Sequence, residues 1–171
     1  MKKEETQHAT LYRRYRPSSF DEVRGQDHVV GVLEKEVKNK KPAHAYLFAG
    51  SRGTGKTSVA RILSRELGVS AKDLYEIDAA SNRGIDDIRE LREGVYAMPF
   101  ESPYRFYIID EAHMLTKEAW NAFLKTLEEP PSHAIFVLAT TERDKVPETI
   151  RSRCEIYNFK QPTQAMLAES V

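Results

Sequence analysis

Two rhythms of apolar residues alternate along the chain. Ala45-Tyr46-Leu47-Phe48-Ala49, Leu74 to Ile77, Arg105 to Ile109, Ala134 to Ala139 and Glu155 to Phe159 are short runs of strand length. Between them, apolar positions recur at the three-and-four spacing of a helix. This predicts helices over Gln26 to Lys38 (Val29, Val30, Val32, Leu33, Val37), Ser58 to Leu67, Ile85 to about Tyr96 and about Lys117 to Leu127. A short helix is expected near Pro147 to Ile150. Lys38-Asn39-Lys40-Lys41-Pro42 ends the first helix, and Pro130-Pro131 stops the fourth. Strands alternating with helices predict an α/β fold, a parallel five-stranded sheet with helices on both faces. There are no internal repeats.

Composition adds limits. At 171 residues, 40% hydrophobic and 30% charged, the chain fits one globular domain. Its 26 basic and 26 acidic residues cancel, so no overall field draws it to nucleic acid or membrane; such contacts need a local patch or partner subunits. The single cysteine, Cys154, forbids an internal disulfide and a multi-cysteine zinc site, and agrees with a reducing compartment. No run approaches the ~18 apolar residues of a membrane span, so a cytoplasmic location is expected. Residues 1–10, with Lys2, Lys3, Glu4 and Glu5, read as a disordered lead-in, and Pro162 to Val171 as the start of a helix that continues no further.

The chemistry starts at the end of the first strand. Gly50-Ser51-Arg52-Gly53-Thr54-Gly55-Lys56-Thr57 is G-x-x-x-x-G-K-[ST], followed by Ser58 and a helix. Glycines let backbone N–H groups curl around phosphate oxygens, and the helix N-terminus adds positive partial charge. Lys56 is expected to reach the β- and γ-phosphates, and the Thr57 hydroxyl to ligate Mg²⁺. The third strand ends on Asp110-Glu111. Neighbouring strand residues point to opposite faces, so the two acids take different tasks: Asp110 beside Thr57 at Mg²⁺, Glu111 as the base orienting the attacking water. Thr141 at the end of the fourth strand, or Thr140 in its place, can contact the γ-phosphate; this strand is expected between those carrying Lys56 and Asp110. Cys154 reads as a packing residue, since no base is paired with it.

These motifs, with Leu11-Tyr12-Arg13-Arg14-Tyr15-Arg16-Pro17, Gly25-Gln26, Asp78-Ala79-Ala80-Ser81-Asn82-Arg83-Gly84, Tyr107 to Leu115, Leu124 to Pro131, Leu138 to Glu142 and Ser152-Arg153-Cys154, resemble the gamma/tau subunits of bacterial DNA polymerase III, the AAA+ ATPases of the sliding-clamp loader. The resemblance covers about residues 11–162. It implies an AAA+ P-loop NTPase domain there, ATP and Mg²⁺ as cofactors, and hydrolysis that loads the clamp onto primed DNA. The implied partners are delta, delta-prime and further gamma/tau subunits, the clamp and, through the assembly, primer-template DNA, with no membrane. It also implies that Leu11 to Val23 covers the adenine, through Tyr12, Arg16, Pro17 and Val23. Arg153, a solvated arginine on its own terms, becomes an arginine finger toward a neighbouring subunit's nucleotide.

There are two departures from the family. Leu67 to Asp73 closes the gap where it carries a four-cysteine zinc module, so zinc is not expected. Residues 163–171 only begin the helical lid, so weak autonomous turnover is expected. Arg83, the helix starts at Gly84-Ile85-Asp86 and Thr116-Lys117, and Lys145 are candidate DNA contacts. Arg83 is also a candidate signal to Glu111. Tyr96-Ala97-Met98-Pro99-Phe100 reads equally as a clamp-binding edge or as core packing. A non-hydrolysing subunit would show a damaged phosphate loop. A DExH helicase, suggested by Asp110-Glu111-Ala112-His113, needs a second RecA-like domain for which there is no room. His113 then reads as a packing or polar residue.

Overall fold

The structure is a computed structural model that describes residues 16–161. The lead-in, Tyr12 and the expected lid start at 163–171 lie outside the described residues. Five strands, β1 (Ala45–Ala49), β2 (Leu74–Asp78), β3 (Arg105–Asp110), β4 (Ala134–Thr140) and β5 (Glu155–Asn158), form one sheet in the order β2-β3-β4-β1-β5. Every neighbouring pair is parallel. The connecting helices are α1 (Asp27–Lys38), α2 (Lys56–Glu66), α3 (Ile85–Val95), α4 (Lys117–Glu128) and the single turn α5 (Glu148–Arg151). As expected, β4 lies between β1 and β3.

The alternation of strand side chains divides the interior into two cores. Tyr46, Phe48, Phe106, Ile108, Ile135 and Val137 face one way and pack with Val29 and Leu33 of α1 and Val59, Ile62 and Leu63 of α2. Leu47, Tyr107, Ile109, Phe136 and Leu138 face the other way, onto Ile88 and Leu91 of α3 and Trp120 and Phe123 of α4. Burial on both faces explains why β1 and β4 read as continuous apolar runs rather than alternating ones.

Every expected element is present, with shifts of a residue or two at the ends. Strands β2, β3 and β4 each run one residue further than the apolar pattern, because Asp78, Asp110 and Thr140 are polar residues still held in strand geometry. Helix α2 starts at Lys56 rather than Ser58, because Gly55 caps it in the left-handed conformation. Its far end passes through Gly68 (φ +80°) and a short turn at Ala71–Asp73 directly into β2. Among the described residues, no helix is long and apolar enough to cross a membrane.

Parallel strands bring their C-terminal ends to one side of the sheet, where ligands of such folds bind. Ala49 sits beside Thr140 in register, and Asp78 beside Asp110. The start of β5 lies at the opposite end, Glu155 pairing with Tyr46 near the beginning of β1.

Candidate active site

The phosphate loop leaves β1 at Gly50, whose N–H donates to the Thr140 carbonyl at 3.1 Å. A Cβ at Gly50 would stand 2.7 Å from the Phe159 carbonyl oxygen, so only glycine fits there. Gly53 (φ +79°) and Gly55 (φ +91°) occupy the left-handed region that turns the loop inward. Helix α2 follows at once, and its first-turn N–H groups have no intrahelical acceptor. The buried Lys56 donates its ammonium to the carbonyls of Gly50 (2.6 Å) and Ser51 (2.8 Å). Burial lowers the Lys56 pKa, while the nearby Asp110 and Glu111 carboxylates pull it back up. Ser51, Arg52 and Gly53 form the exposed outer rim of the loop, and the Thr54 hydroxyl donates to the Ser51 carbonyl at 2.8 Å.

Asp110 continues the β3 face of Phe106 and Ile108, the face on which α2 packs. It therefore opens onto a cavity of about 210 Å³ shared with Thr57, Arg61, Glu76, Ile77, Asp78 and Ile108. Hydroxyl and carboxylate oxygens are the donors a hard divalent cation takes, so the lining fits Mg²⁺. Arg61 closes one wall through two bonds to Glu76, 2.5 and 3.0 Å. One Asp110 oxygen accepts the Glu111 N–H at 2.9 Å.

Glu111 leaves the strand with φ +52°, a conformation a non-glycine residue adopts at a cost. That turn carries its carboxylate to the ring of His113, Nε2 to Oε2 3.3 Å. The sequence reads His113 as a packing or polar residue; the structure adds its contact with Glu111, for which the fourth position of Asp110-Glu111-Ala112-His113 is the available signal. Thr140 is buried, its hydroxyl oxygen 2.9 Å from His113 Nδ1 and from the Glu142 N–H. Thr141 follows it, exposed.

Other expected site residues lie elsewhere. Arg16, Pro17 and Ser58 line an adjoining cleft of about 430 Å³ along α2, which meets the Thr57–Asp110 cavity at Arg61 and is also lined by Ser64, Arg65 and others. Val23 is buried in the core. Arg153 is exposed; it donates to the Thr149 carbonyl at 3.0 Å and lies 3.6 Å from Glu128. It precedes β5 and so stands at the end of the sheet away from its own phosphate loop. The Arg83 carbonyl accepts the Thr116 N–H at 3.0 Å, joining the approaches to α3 and α4. Tyr96, Met98 and Phe100 are 57, 73 and 74% exposed, which rules out the core-packing reading of that loop. Cys154 packs against the core, and burial pushes its thiol up to about 12, as a packing role predicts.

A family model described as "DNA polymerase III, delta subunit" matches residues 25–76 and 68–163, well over half of the chain. The chain belongs to this family. Within the DNA polymerase III family it is similar to the tau subunit of Bacillus subtilis, 47% identical over 174 residues that cover 90% of this chain and 31% of that protein. It is likewise similar to the gamma/tau subunit of Mycobacterium bovis, at 48% identity over 88% of this chain and 30% of the relative. The chain thus spans just under a third of the length of these relatives. Among solved structures, a DNA polymerase III gamma subunit-related protein of Thermotoga maritima superposes with TM-score 0.66 and 28% identity, covering 78% of this chain and 47% of that one. The Thermotoga maritima RuvB Holliday junction branch migration motor gives TM-score 0.73 at 25% identity, over 91% and 52% of the two chains. The fold is the AAA+ α/β fold.

Proposed function

We propose that this domain binds and hydrolyses ATP with Mg²⁺, as a motor domain of a bacterial sliding-clamp loader. The observation that carries the reading is that Lys56, Thr57, Asp110 and Glu111 converge at the C-terminal ends of β1 and β3. On binding, the triphosphate replaces the Gly50 and Ser51 carbonyls as partner of the Lys56 ammonium. Loop N–H groups and the α2 N-terminus hold the remaining phosphate oxygens. Thr57 and Asp110 hold Mg²⁺, which offsets phosphate charge. Glu111 orients a water and takes its proton as the water attacks the γ-phosphorus and the bond to the β–γ bridging oxygen breaks, releasing ADP; Thr141 contacts the same phosphate. The exposed Arg153 serves a neighbouring subunit's nucleotide.

The similarity to DNA polymerase III gamma/tau subunits supports placing this motor with delta, delta-prime and further gamma/tau copies in the cytoplasm, acting on the sliding clamp and primed DNA. The undamaged loop and acid pair argue against a non-hydrolysing role. Calorimetric titration with Mg·ATP tests the site. Lys56→Ala, still folded, should weaken binding by roughly 1.5–3 kcal/mol through loss of a charge-assisted contact. An unchanged affinity would remove the assignment.

A further inference from the structure

One imidazole links the ends of β3 and β4. The His113 side chain is 6% exposed, and both of its nitrogens are engaged. Nε2 faces two carboxylates, Glu111 at 3.3 Å and Glu142 at 3.5 Å, so it carries a proton. Nδ1 meets the Thr140 hydroxyl at 2.9 Å. That hydroxyl oxygen also accepts the Glu142 N–H, so Thr140 ties the ring to the turn that follows β4. Lys145, 3.2 Å from Glu142, is the cation facing the group from the adjoining turn.

The anchor matters more than the contact. Thr140 is paired with Ala49, and its carbonyl receives the Gly50 N–H. The ring is therefore held on the strand that adjoins the phosphate loop, not only on the turn that carries Glu111. Without it, the Glu111 carboxylate, 29% exposed on a left-handed turn, is free to rotate away. With it, the carboxylate stands over the end of β4, beside the loop where the terminal phosphate arrives.

We infer that His113 is the positioning residue for the hydrolytic base: it relays the place of the phosphate loop, through Thr140, to the Glu111 carboxylate, with Glu142 competing for the same N–H. This rests on the hydrolysis reading above. It predicts that His113 governs the chemical step and not nucleotide affinity.

The test compares His113→Leu with His113→Gln, whose amide N–H can stand where Nε2–H does. Mg·ATP affinity is measured for each, together with single-turnover hydrolysis by a lid-containing assembly at excess protein. His113→Leu should keep affinity near the parent's and lose about 10- to 100-fold in rate, with His113→Gln recovering most of it. In parallel, the ¹⁵N resonances of the His113 ring are followed in Glu111→Gln, where a shift of Nε2 reports the contact without any activity. A parent rate in His113→Leu, equal losses in both variants, or an unmoved ring resonance would overturn the inference. A parent that binds no Mg·ATP overturns the hydrolysis reading itself, a result told apart by the ring resonance.

Discussion

Lys56 is charged and buried, yet the fold tolerates it because two loop carbonyls take its ammonium and two carboxylates lie near enough to raise its pKa against burial. Those same carboxylates divide the work by direction: Asp110 follows the strand pleat toward α2, while Glu111 turns out of the strand toward His113. Glu111→Gln keeps shape and removes the proton acceptor. It should retain nucleotide while turnover in a lid-containing assembly falls by about 10²-fold or more; equal rates there would show another base. Asp73 shows the opposite use of a buried acid. Burial opposes its charge, but N–H groups of Glu101, Phe100 and Ser102 hold its carboxyl down to about 2, below the ordinary 3.8. The depressed value means a contribution present above pH 4 and lost as pH falls through about 2. Asp73→Asn should cost about 2–3 kcal/mol at pH 7, read from the urea midpoint.

At the scale of elements, α1 is fastened to the sheet by polar contacts as well as by Val29 and Leu33. The Tyr46 hydroxyl of β1 donates to Glu36 of α1 at 2.8 Å and accepts the Ala43 N–H at 2.8 Å. On β5, Tyr157 donates to Glu155 at 2.8 Å, and Glu155 is hydrogen-bonded to Glu36. Burial and then Glu155 push the Glu36 carboxyl up to about 7 from 4.5. The folded state thus binds this proton more tightly than the unfolded chain does, so stability should decline as pH rises from about 4.5 to about 7 and level off above. Glu36→Gln keeps an acceptor for Tyr46 and carries no charge. It should flatten that decline and raise stability at pH 8 by about 1 kcal/mol, measured as melting temperature at pH 5 and pH 8. An unchanged pH profile would separate the pair from folding.

For the whole molecule, the parallel register of β5 on β1 puts Arg153 before one end of the sheet and the phosphate loop after the other, so an arginine finger at this position works only across a subunit boundary. Arg153→Ala should leave nucleotide affinity at its own loop nearly intact, while turnover in an assembly with full-length subunits falls by about 10³-fold or more. Weakened affinity at its own loop would place it in cis. The sequence by itself determined the strand–helix alternation, the phosphate loop and the acid pair after β3, because each is a short stretch whose chemistry depends on spacing along the chain. It could also rank Thr140 and Thr141 as neighbours of the site. Tertiary structure alone decided that Thr140 is buried against a histidine 27 residues away, and that Asp73 holds a loop 27 to 29 residues on. It likewise decided that Met98 and Phe100 face outward and that Arg16 and Ser58 share a cleft that meets the Thr57 cavity at Arg61. The physical reason is register: in a parallel sheet, side chains meet according to how distant strands align and which face each residue takes, and neither is written in any local run of residues.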